Sequence, residues 1–206
     1  MGGRNVALFF ELNQRIIMNI PSIDRVVSDD DLRPAIQYAL VKKDHTVVSD
    51  AHILIVHHTA SIFGQEFADS LPDEGIRLSK RIIRDIKKTD VNSIVLSDDK
   101  TMISLLPHDR KIYELPVIAY KLPKYIPDFP DYMKVVPTPD DTHAIDKIKF
   151  NATLLETLGK ALFPCYWNNR FMIFHFRSNT SGVLVIPSTD DDSIKKSYAV
   201  IMPAMI

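Results

Sequence analysis

The chain has 206 residues, of which 46% are hydrophobic and 25% are charged, and its net charge is −1. This composition is typical of a globular protein. The near-zero net charge excludes a chain that is basic throughout, so any contact with DNA would have to be local. The single cysteine, Cys165, excludes a disulfide framework and a cysteine-ligated zinc site, and it favours a reducing, cytoplasmic location. No apolar run approaches the roughly 18 residues that a membrane helix needs, so we expect no contact with a membrane.

Three segments of the sequence share one pattern of residue types. Residues 10–20 (FELNQRIIMNI), 76–86 (IRLSKRIIRDI) and 148–158 (IKFNATLLETL) each start as the end of a strand, followed by a residue that can cap a helix. Apolar residues follow three, four and seven positions after the cap, which predicts one buried face of a helix. The predicted caps are Asn13, Ser79 and Asn151, and the predicted buried residues are Ile16, Ile17, Ile20, Ile82, Ile83, Ile86, Leu154, Leu155 and Leu158. The sequence therefore predicts three copies of a strand–helix–strands unit.

Segments typical of β-strands follow each predicted helix. They are rich in β-branched and aromatic residues and are bounded by Asp, Asn, Gly or Pro. Repeated units of this kind, without the signals of a parallel sheet, predict an α+β fold in which helices pack on one side of antiparallel sheets. We expect solvated loops at 61–75 and 187–196, and a domain boundary within the polar segment 138–146 (TPDDTHAID). The predicted strand segments are 33–41, 45–58, 92–99, 101–107, 111–123, 170–178, 181–188 and 198–203.

Four short motifs resemble, in their order along the chain, motifs of the bacterial DNA polymerase III β subunit, the sliding clamp. The pair Arg33–Pro34 before a strand resembles the family's RP start, and SDAHIL at 49–54 is similar to its TDGHRL. FPDYMKVVP at 129–137 resembles FPDYxxVxP, and MPAMI at 202–206 is similar to the C-terminal MPMRL. The resemblance covers nearly the whole chain.

The resemblance implies a domain organisation. A family domain consists of two strand–helix–strands units, and three domains form one subunit of a ring that encircles duplex DNA. Residues 1–137 resemble one complete clamp domain, and residues 138–206 resemble half a domain that carries the C-terminal tail. The chain departs from the family in having three units instead of six. Ala51 also stands where the family has Gly, and Ile53 and Met205 stand where it has Arg.

The resemblance also implies a binding site. In sliding clamps, the three later motifs form a hydrophobic pocket that binds a short linear peptide of the Gln-x-x-Leu-Phe kind, carried by polymerases and other replication proteins. Such a pocket would explain why the sequence ends on an uncharged strand, YAVIMPAMI at 198–206. The alternative is a last strand that only fills the core. The residues implied for peptide binding are Ser49, Ala51, His52, Ile53, Leu54, Pro130, Val135, Val200, Met202, Pro203, Ala204, Met205 and Ile206.

The second predicted helix has a cationic face. At about 100° per residue, its isoleucines fall on one side and its cations on the other, interrupted by Asp85. Such a helix could face DNA phosphates or could be a solvated surface helix. The other two predicted helices expose few charges, so we expect at most weak, non-specific contact with double-stranded DNA. The candidate DNA-binding residues are Arg77, Lys80, Arg81, Arg84, Lys87 and Lys88.

The sequence has no catalytic motif and no glycine-rich phosphate-binding turn, so we expect no enzyme activity, no cofactor and no metal. The pair His57–His58 lies at the end of a predicted strand, where neighbouring side chains point to opposite faces. The two residues therefore make a poor metal-binding pair, and we interpret them as surface histidines.

Two functions remain open from the sequence. The first is a replication processivity factor that tethers polymerase-type partners and assembles as an oligomeric ring on DNA; four copies would supply as many units as a family ring contains. The second is a peptide-binding adaptor, or a competitor for the partners of the clamp, that does not encircle DNA. The oligomeric state would separate the two functions.

Overall fold

The computed structural model describes residues 10–11, 20–88, 91–107, 118–137, 148–164, 170–178 and 181–204. These residues form two antiparallel sheets with helices packed against them, which confirms the predicted α+β fold. The strands are β1 (Phe10–Glu11), β2 (Tyr38–Val41), β3 (His45–Ser49), β4 (Ile53–His58), β5 (Ile76–Ser79), β6 (Val91–Leu96), β7 (Met102–Pro107), β8 (Ile118–Lys121), β9 (Met172–His175), β10 (Val183–Pro187) and β11 (Tyr198–Ile201). The helices are α1 (Thr59–Phe63), α2 (Gln65–Ser70), α3 (Lys80–Lys88), α4 (Ala152–Leu162) and α5 (Asp192–Lys195), and 3-10 turns span Ile23–Arg25, Pro34–Ile36 and Tyr132–Val135. None of the described helices is both long and apolar enough to cross a membrane.

The first two repeat units exchange their leading strands. One sheet has the order β1–β6–β7–β8, and the other has the order β5–β2–β3–β4–β11–β10–β9. Strand β1 precedes the first predicted helix but pairs with β6 of the second unit, and β5 precedes α3 but pairs with β2 of the first unit. Because the exchange is reciprocal, each of the two units completes the sheet of the other.

The third unit extends the larger sheet through its last strand. Strand β11 lies between β4 and β10, with Tyr198 opposite Val56 and Ile201 opposite Ile53. Residues 148–150, which were predicted to end a strand, are not in one. A strand needs a pairing partner, and within the described residues the third unit has no second unit that exchanges strands with it.

The predicted helix caps at the second and third units are confirmed. The Ser79 hydroxyl oxygen accepts a hydrogen bond from the backbone N–H of Ile82 at 3.4 Å, and the Asn151 side chain accepts one from Thr153 at 2.9 Å. The helix α3 buries its three isoleucines, as predicted from their spacing. In α4, Leu158 is buried as predicted, whereas Leu154 and Leu155 are only half-buried. The first predicted helix (cap Asn13), the predicted boundary at 138–146 and Cys165 lie outside the described residues.

The prediction of a solvated loop at 61–75 was wrong. Helices α1 and α2 occupy most of this segment, and Phe63 and Phe67 are fully buried with their ring centroids 5.5 Å apart. The two aromatic residues stand one helical turn apart, but Gly64 between them has φ +86° and starts a new helix, so no single helical period covers the segment. The loop predicted at 187–196 likewise contains the short helix α5, whose Ile194 is buried.

The interpretation of His57 as a surface residue was also wrong. Its side chain extends from β4 and is buried against the C-terminal end of α4 and the residue before β11. The Nε2–H donates to the carbonyl oxygen of Ala161 at 2.9 Å, which leaves Nδ1 to accept a hydrogen bond from the Ser197 hydroxyl at 2.7 Å. Both ring nitrogens of the neutral imidazole are thus hydrogen-bonded, and the histidine connects the first unit to the third.

Acidification should reduce stability through His57. Burial lowers the pKa of His57 from 6.5 to about 4, although the hydrogen bond to Ala161 acts in the opposite direction. The unfolded chain therefore takes up a proton on this residue below about pH 6.5, and the folded chain does so only near pH 4. We expect the free energy of unfolding to fall by up to ~3 kcal/mol across this window.

Urea unfolding at pH 7.5 and pH 5 measures the part of this loss that occurs above pH 5, about 2 kcal/mol. A His57→Gln variant should lose most of the pH dependence, whereas His175→Gln on the edge strand β9 should keep it. A free energy of unfolding that stays constant or rises between pH 7.5 and pH 5 in the unmodified protein would contradict the assignment.

Candidate peptide-binding groove

A groove of about 610 Å³ lies beside the pairing of β4 with β11. Four parts of the chain line it: the turn at Pro34–Ile36 with the residues before it, the β3–β4 turn, the segment before and within the turn Tyr132–Val135, and the end of β11. Most of the surface these parts present is apolar, and the charged or titratable side chains among the lining residues are Arg33, His52, Asp131 and Tyr132. The groove can therefore take apolar side chains in its interior and polar groups at a few positions.

The β3–β4 turn has a network of local hydrogen bonds. The Asp50 carboxylate accepts from the backbone N–H groups of His52 at 2.8 Å and Ile53 at 2.7 Å. The Ser49 hydroxyl accepts from Ala51 N–H at 3.1 Å and donates to the Ile53 carbonyl at 3.0 Å. Ala51 has φ +75°, a left-handed conformation that favours glycine. The turn therefore presents its residues to the groove in one conformation.

The end of β11 continues along this turn. The backbone N–H of Met202 donates to the His52 carbonyl at 2.9 Å, and that of Ala204 donates to the Lys149 carbonyl at 2.8 Å. Val200 is buried in the groove floor, whereas Met202 is 40% exposed at its edge. The last strand thus fills the core with some residues and lines the groove with others.

Opposite the turn lies the wall segment, which we define as residues 123–137. Its residues Phe129, Tyr132 and Val136 pack against a small cluster on the sheet face. The sheet residues of the cluster are Leu40, Val47, Leu54, Val56, Tyr198 and Val200. Burial, together with the nearby charges, raises the pKa of Tyr132 to about 12, so the phenol stays neutral at physiological pH.

The structure brings nine of the residues implied for peptide binding into the lining of one groove. They are Ser49, Ala51, His52, Ile53, Leu54, Pro130, Val135, Val200 and Met202. Pro203 and Ala204 follow Met202 but are not among the lining residues, and Met205 and Ile206 lie outside the described residues. Peptide binding by these residues stays a prediction.

Sequence reasoning missed half of the groove lining. The missed residues are Leu32, Arg33, Pro34, Ala35, Ile36, Pro127, Phe129, Asp131 and Tyr132. The signal was present, because Arg33–Pro34 and residues 129–137 are two of the four clamp-like motifs, but the predicted site included only Pro130 and Val135 from them. The turn at Pro34–Ile36 leads into β2, two strands away from β4, which sequence spacing does not show.

The cations of α3 have acidic neighbours. Lys80 pairs with Asp29, Arg81 lies 3.7 Å from Asp85, and Asp24 lies 3.6 Å from Arg84 and 4.0 Å from Lys87. Lys88 is exposed at the end of the helix. Five cations on this face are thus accompanied by three carboxylates, which reduces the positive potential that phosphate groups would meet.

Arg77 does not belong to the cationic face of α3. It lies on β5, and its guanidinium carbon is 5.3 Å from the ring centroid of Phe129 in the wall segment. Burial lowers the pKa of Arg77, and the charge of Asp128 acts in the opposite direction. Among the described residues, its buried Nη1 has no hydrogen-bond partner. Its assignment to a DNA surface rested on its position just before α3, and the structure places it behind the groove.

Solved structures of bacterial sliding clamps have the same fold as this chain. The β sliding clamp of C. crescentus has a TM-score of 0.62 at 15% identity, over 100% of this chain and 67% of the clamp chain. The DNA polymerase III β chain of Streptococcus pneumoniae has a TM-score of 0.63 at 15% identity, over 100% and 66%. The DnaN sliding clamp of Bartonella birtlesii has a TM-score of 0.60 at 14% identity, over 100% and 68%.

Because the sequence identities are low, the similarity shows that the fold is shared and nothing more specific. The chain spans about two thirds of the length of these clamps. The C. crescentus structure has PEG bound to a region proposed to tether the β-motif, and the B. birtlesii structure is bound to griselimycin. No protein-family model and no curated protein matches the chain.

Replacing Ala51 by glycine should stabilise the protein. A side chain in the left-handed region costs roughly 1 kcal/mol that glycine avoids, so we expect Ala51→Gly to raise the free energy of unfolding by about this amount. The same change at Ala60, inside α1, should lower it by roughly 0.5–1 kcal/mol. Urea unfolding of both variants checks the sign of each effect, and a destabilised Ala51→Gly protein would contradict the strain at this turn.

Proposed function

We propose that this chain is a clamp-type tethering protein that binds short linear peptides of DNA replication partners in its groove. The observation that carries the proposal is the convergence of three separate sequence segments on one apolar groove. These segments are the β3–β4 turn, the wall segment and the end of β11. They are the parts of the chain that resemble the peptide-binding motifs of sliding clamps. Ligand-bound clamp structures of the same fold support the proposal.

The groove has the properties of a peptide site. Its volume of about 610 Å³ suits two or three large apolar side chains. Met202 at the edge can adapt its flexible thioether side chain to ligands of different shape. Two charged residues of the lining have ion-pair partners: Arg33 lies 3.4 Å from Asp30, and Asp131 lies 3.3 Å from Lys134. They provide polar contacts for a peptide at the rim of the groove. These features favour a peptide with apolar anchoring residues over a highly charged ligand.

DNA contact is the weaker part of the proposal. Duplex DNA is held by phosphate contacts, in which lysine and arginine side chains displace the counterions condensed on the DNA. Cations that already have carboxylate partners contribute less to such contacts. On α3, Lys80, Arg84 and Lys87 each have a carboxylate partner within ion-pairing distance. We therefore propose weak, non-specific contact with duplex DNA, which an oligomeric ring would increase by surrounding the duplex.

The paired cations also favour the second function, a peptide-binding adaptor or competitor that does not encircle DNA. A ring needs several copies of the chain, whereas an adaptor can act as a monomer. Sedimentation velocity separates them: a closed higher oligomer supports a ring, and a monomer supports the adaptor. Both functions use the same groove and predict the same peptide binding.

A charged residue in the groove should weaken peptide binding. Met202 and Met102 are 40% and 42% exposed, but only Met202 lines the groove, since Met102 lies on β7 of the other sheet. We expect Met202→Glu to weaken binding of a Gln-x-x-Leu-Phe peptide at least about tenfold, because the peptide would desolvate the carboxylate. Fluorescence anisotropy with a labelled peptide measures the affinity, and Met102→Glu should bind like the unmodified protein. Equal affinities for the two variants would exclude the groove as the peptide site.

DNA affinity should rise when an acidic partner of α3 is removed. The unmodified chain should bind a labelled duplex with a Kd of ~10⁻⁴–10⁻⁵ M at physiological salt, and binding should weaken steeply as salt increases. Asp29→Asn frees Lys80, and we expect it to tighten binding about two- to fivefold. Asp98→Asn makes the same charge change on the turn between β6 and β7 and serves as the control. Equal effects of the two changes would remove α3 from the DNA surface.

A further inference from the structure

The wall segment is attached to the rest of the fold almost entirely by side chains. Within the described residues, its backbone hydrogen bonds are local, from Lys134 N–H to Asp131 and from Val136 N–H to Met133. The last backbone hydrogen bond to the sheet before it joins Leu122 N–H to the Thr101 carbonyl. Strand pairing therefore does not determine how far the wall segment stands from the groove floor.

Packing from behind does not determine this distance either. A second cavity of about 660 Å³ lies on the other side of the wall segment, and residues 123–126 and Asp128 line it. Pro127, Phe129 and Pro130 face the groove. The wall segment thus separates two cavities, and its position depends on specific contacts with the sheet.

The first such contact joins Arg77 to Phe129. The guanidinium lies 5.3 Å from the ring centroid, within the range of a cation–π interaction. Arg77 belongs to β5, so the contact fixes the middle of the wall segment to the edge of the seven-stranded sheet. Phe129 also stacks edge-on against Tyr132, with ring centroids 6.3 Å apart.

The second contact is a chain of hydrogen bonds from Asp44 through His45 to Tyr132. His45 Nδ1 lies 2.7 Å from the Asp44 carboxylate, so Nδ1–H donates to it. His45 Nε2 then accepts from the Tyr132 hydroxyl at 2.8 Å. Burial acts to raise the pKa of Asp44, but the hydrogen bond from His45 holds it below its usual value. The ionised Asp44 therefore orients the imidazole toward the tyrosine.

We infer that Arg77 and His45 are positioning residues that hold the wall segment at the separation a bound peptide needs. Neither residue lines the groove, so neither would touch the peptide. The inference rests on the proposed function, since it assigns these residues a role in the same groove. Without the two contacts, a peptide would have to order the wall segment as it binds, and that ordering would weaken its affinity.

The test uses substitutions that remove each contact and preserve side-chain bulk. Arg77→Met removes the charge over Phe129, and His45→Phe removes both ring nitrogens but keeps an aromatic ring beside Tyr132. Arg25→Met and His175→Phe make the same chemical changes at positions outside the groove and the wall segment. Two quantities are measured for each variant: the backbone ¹⁵N order parameters of residues 123–137 in the free protein, and the affinity for the labelled Gln-x-x-Leu-Phe peptide.

We expect order parameters in the wall segment to fall in Arg77→Met and His45→Phe, and affinity to weaken about three- to tenfold in each. The two control variants should match the unmodified protein in both quantities. Tyr132→Phe keeps the ring and removes only the hydroxyl, so combining it with His45→Phe should weaken binding no more than either change alone.

The outcomes separate this inference from the proposed function. If the unmodified protein binds the peptide, and Arg77→Met and His45→Phe keep its order parameters and affinity, the positioning role is overturned and the groove stands. If the unmodified protein does not bind the peptide, the proposed function fails first, and the positioning role in binding fails with it.

Discussion

The antiparallel pairing of β11 with β4 is the interaction on which the groove depends. Because side chains alternate along a strand, the register sends Ala199 and Ile201 into the main core and Tyr198 and Val200 to the groove side of the sheet. A shift of one residue would reverse both sets. The same pairing brings Met202 to the carbonyl of His52, and so joins the end of the last strand to the β3–β4 turn.

Contacts below the sheet hold this pairing together. His57 on β4 contacts both Ser197, just before β11, and the end of α4, so the third unit is attached to the first through one neutral imidazole. The backbone N–H of Ser22 also donates to the Lys160 carbonyl of α4 at 2.9 Å. A binding site made from distant parts of the chain therefore relies on a buried polar network that does not itself face the groove. The hydrogen bonds of this network matter because a buried polar group without a partner destabilises the folded state.

The local pattern of the sequence was sufficient to predict the helices α3 and α4 with their caps. Capping residues and apolar spacing act within one helical turn, which is why Ser79, Asn151 and the isoleucines of α3 were identified from the sequence. Resemblance to clamp motifs then identified nine groove residues, including Val200 and Met202. These residues could be predicted because each belongs to a short segment with a recognisable pattern.

The remaining features depend on partners that are distant in sequence. The burial of His57 requires α4, the position of Arg77 requires Phe129, and two of the three carboxylates beside α3 come from the turn and loop at residues 24 and 29. These neighbours cannot be predicted from the residues that flank each position in the sequence. Residues 148–150 were predicted to end a strand but do not form one, because a strand-like pattern also needs a partner to pair with.

The most direct test of the central claim is to map the peptide site by NMR. Titrating ¹⁵N-labelled protein with the Gln-x-x-Leu-Phe peptide should give saturable amide shift changes in the β3–β4 turn, the wall segment and the end of β11. That result would show that the three segments act as one binding site. The absence of shift changes, or changes confined to α3 and the sheet edges, would contradict the claim and leave the clamp-like fold without a peptide-binding role.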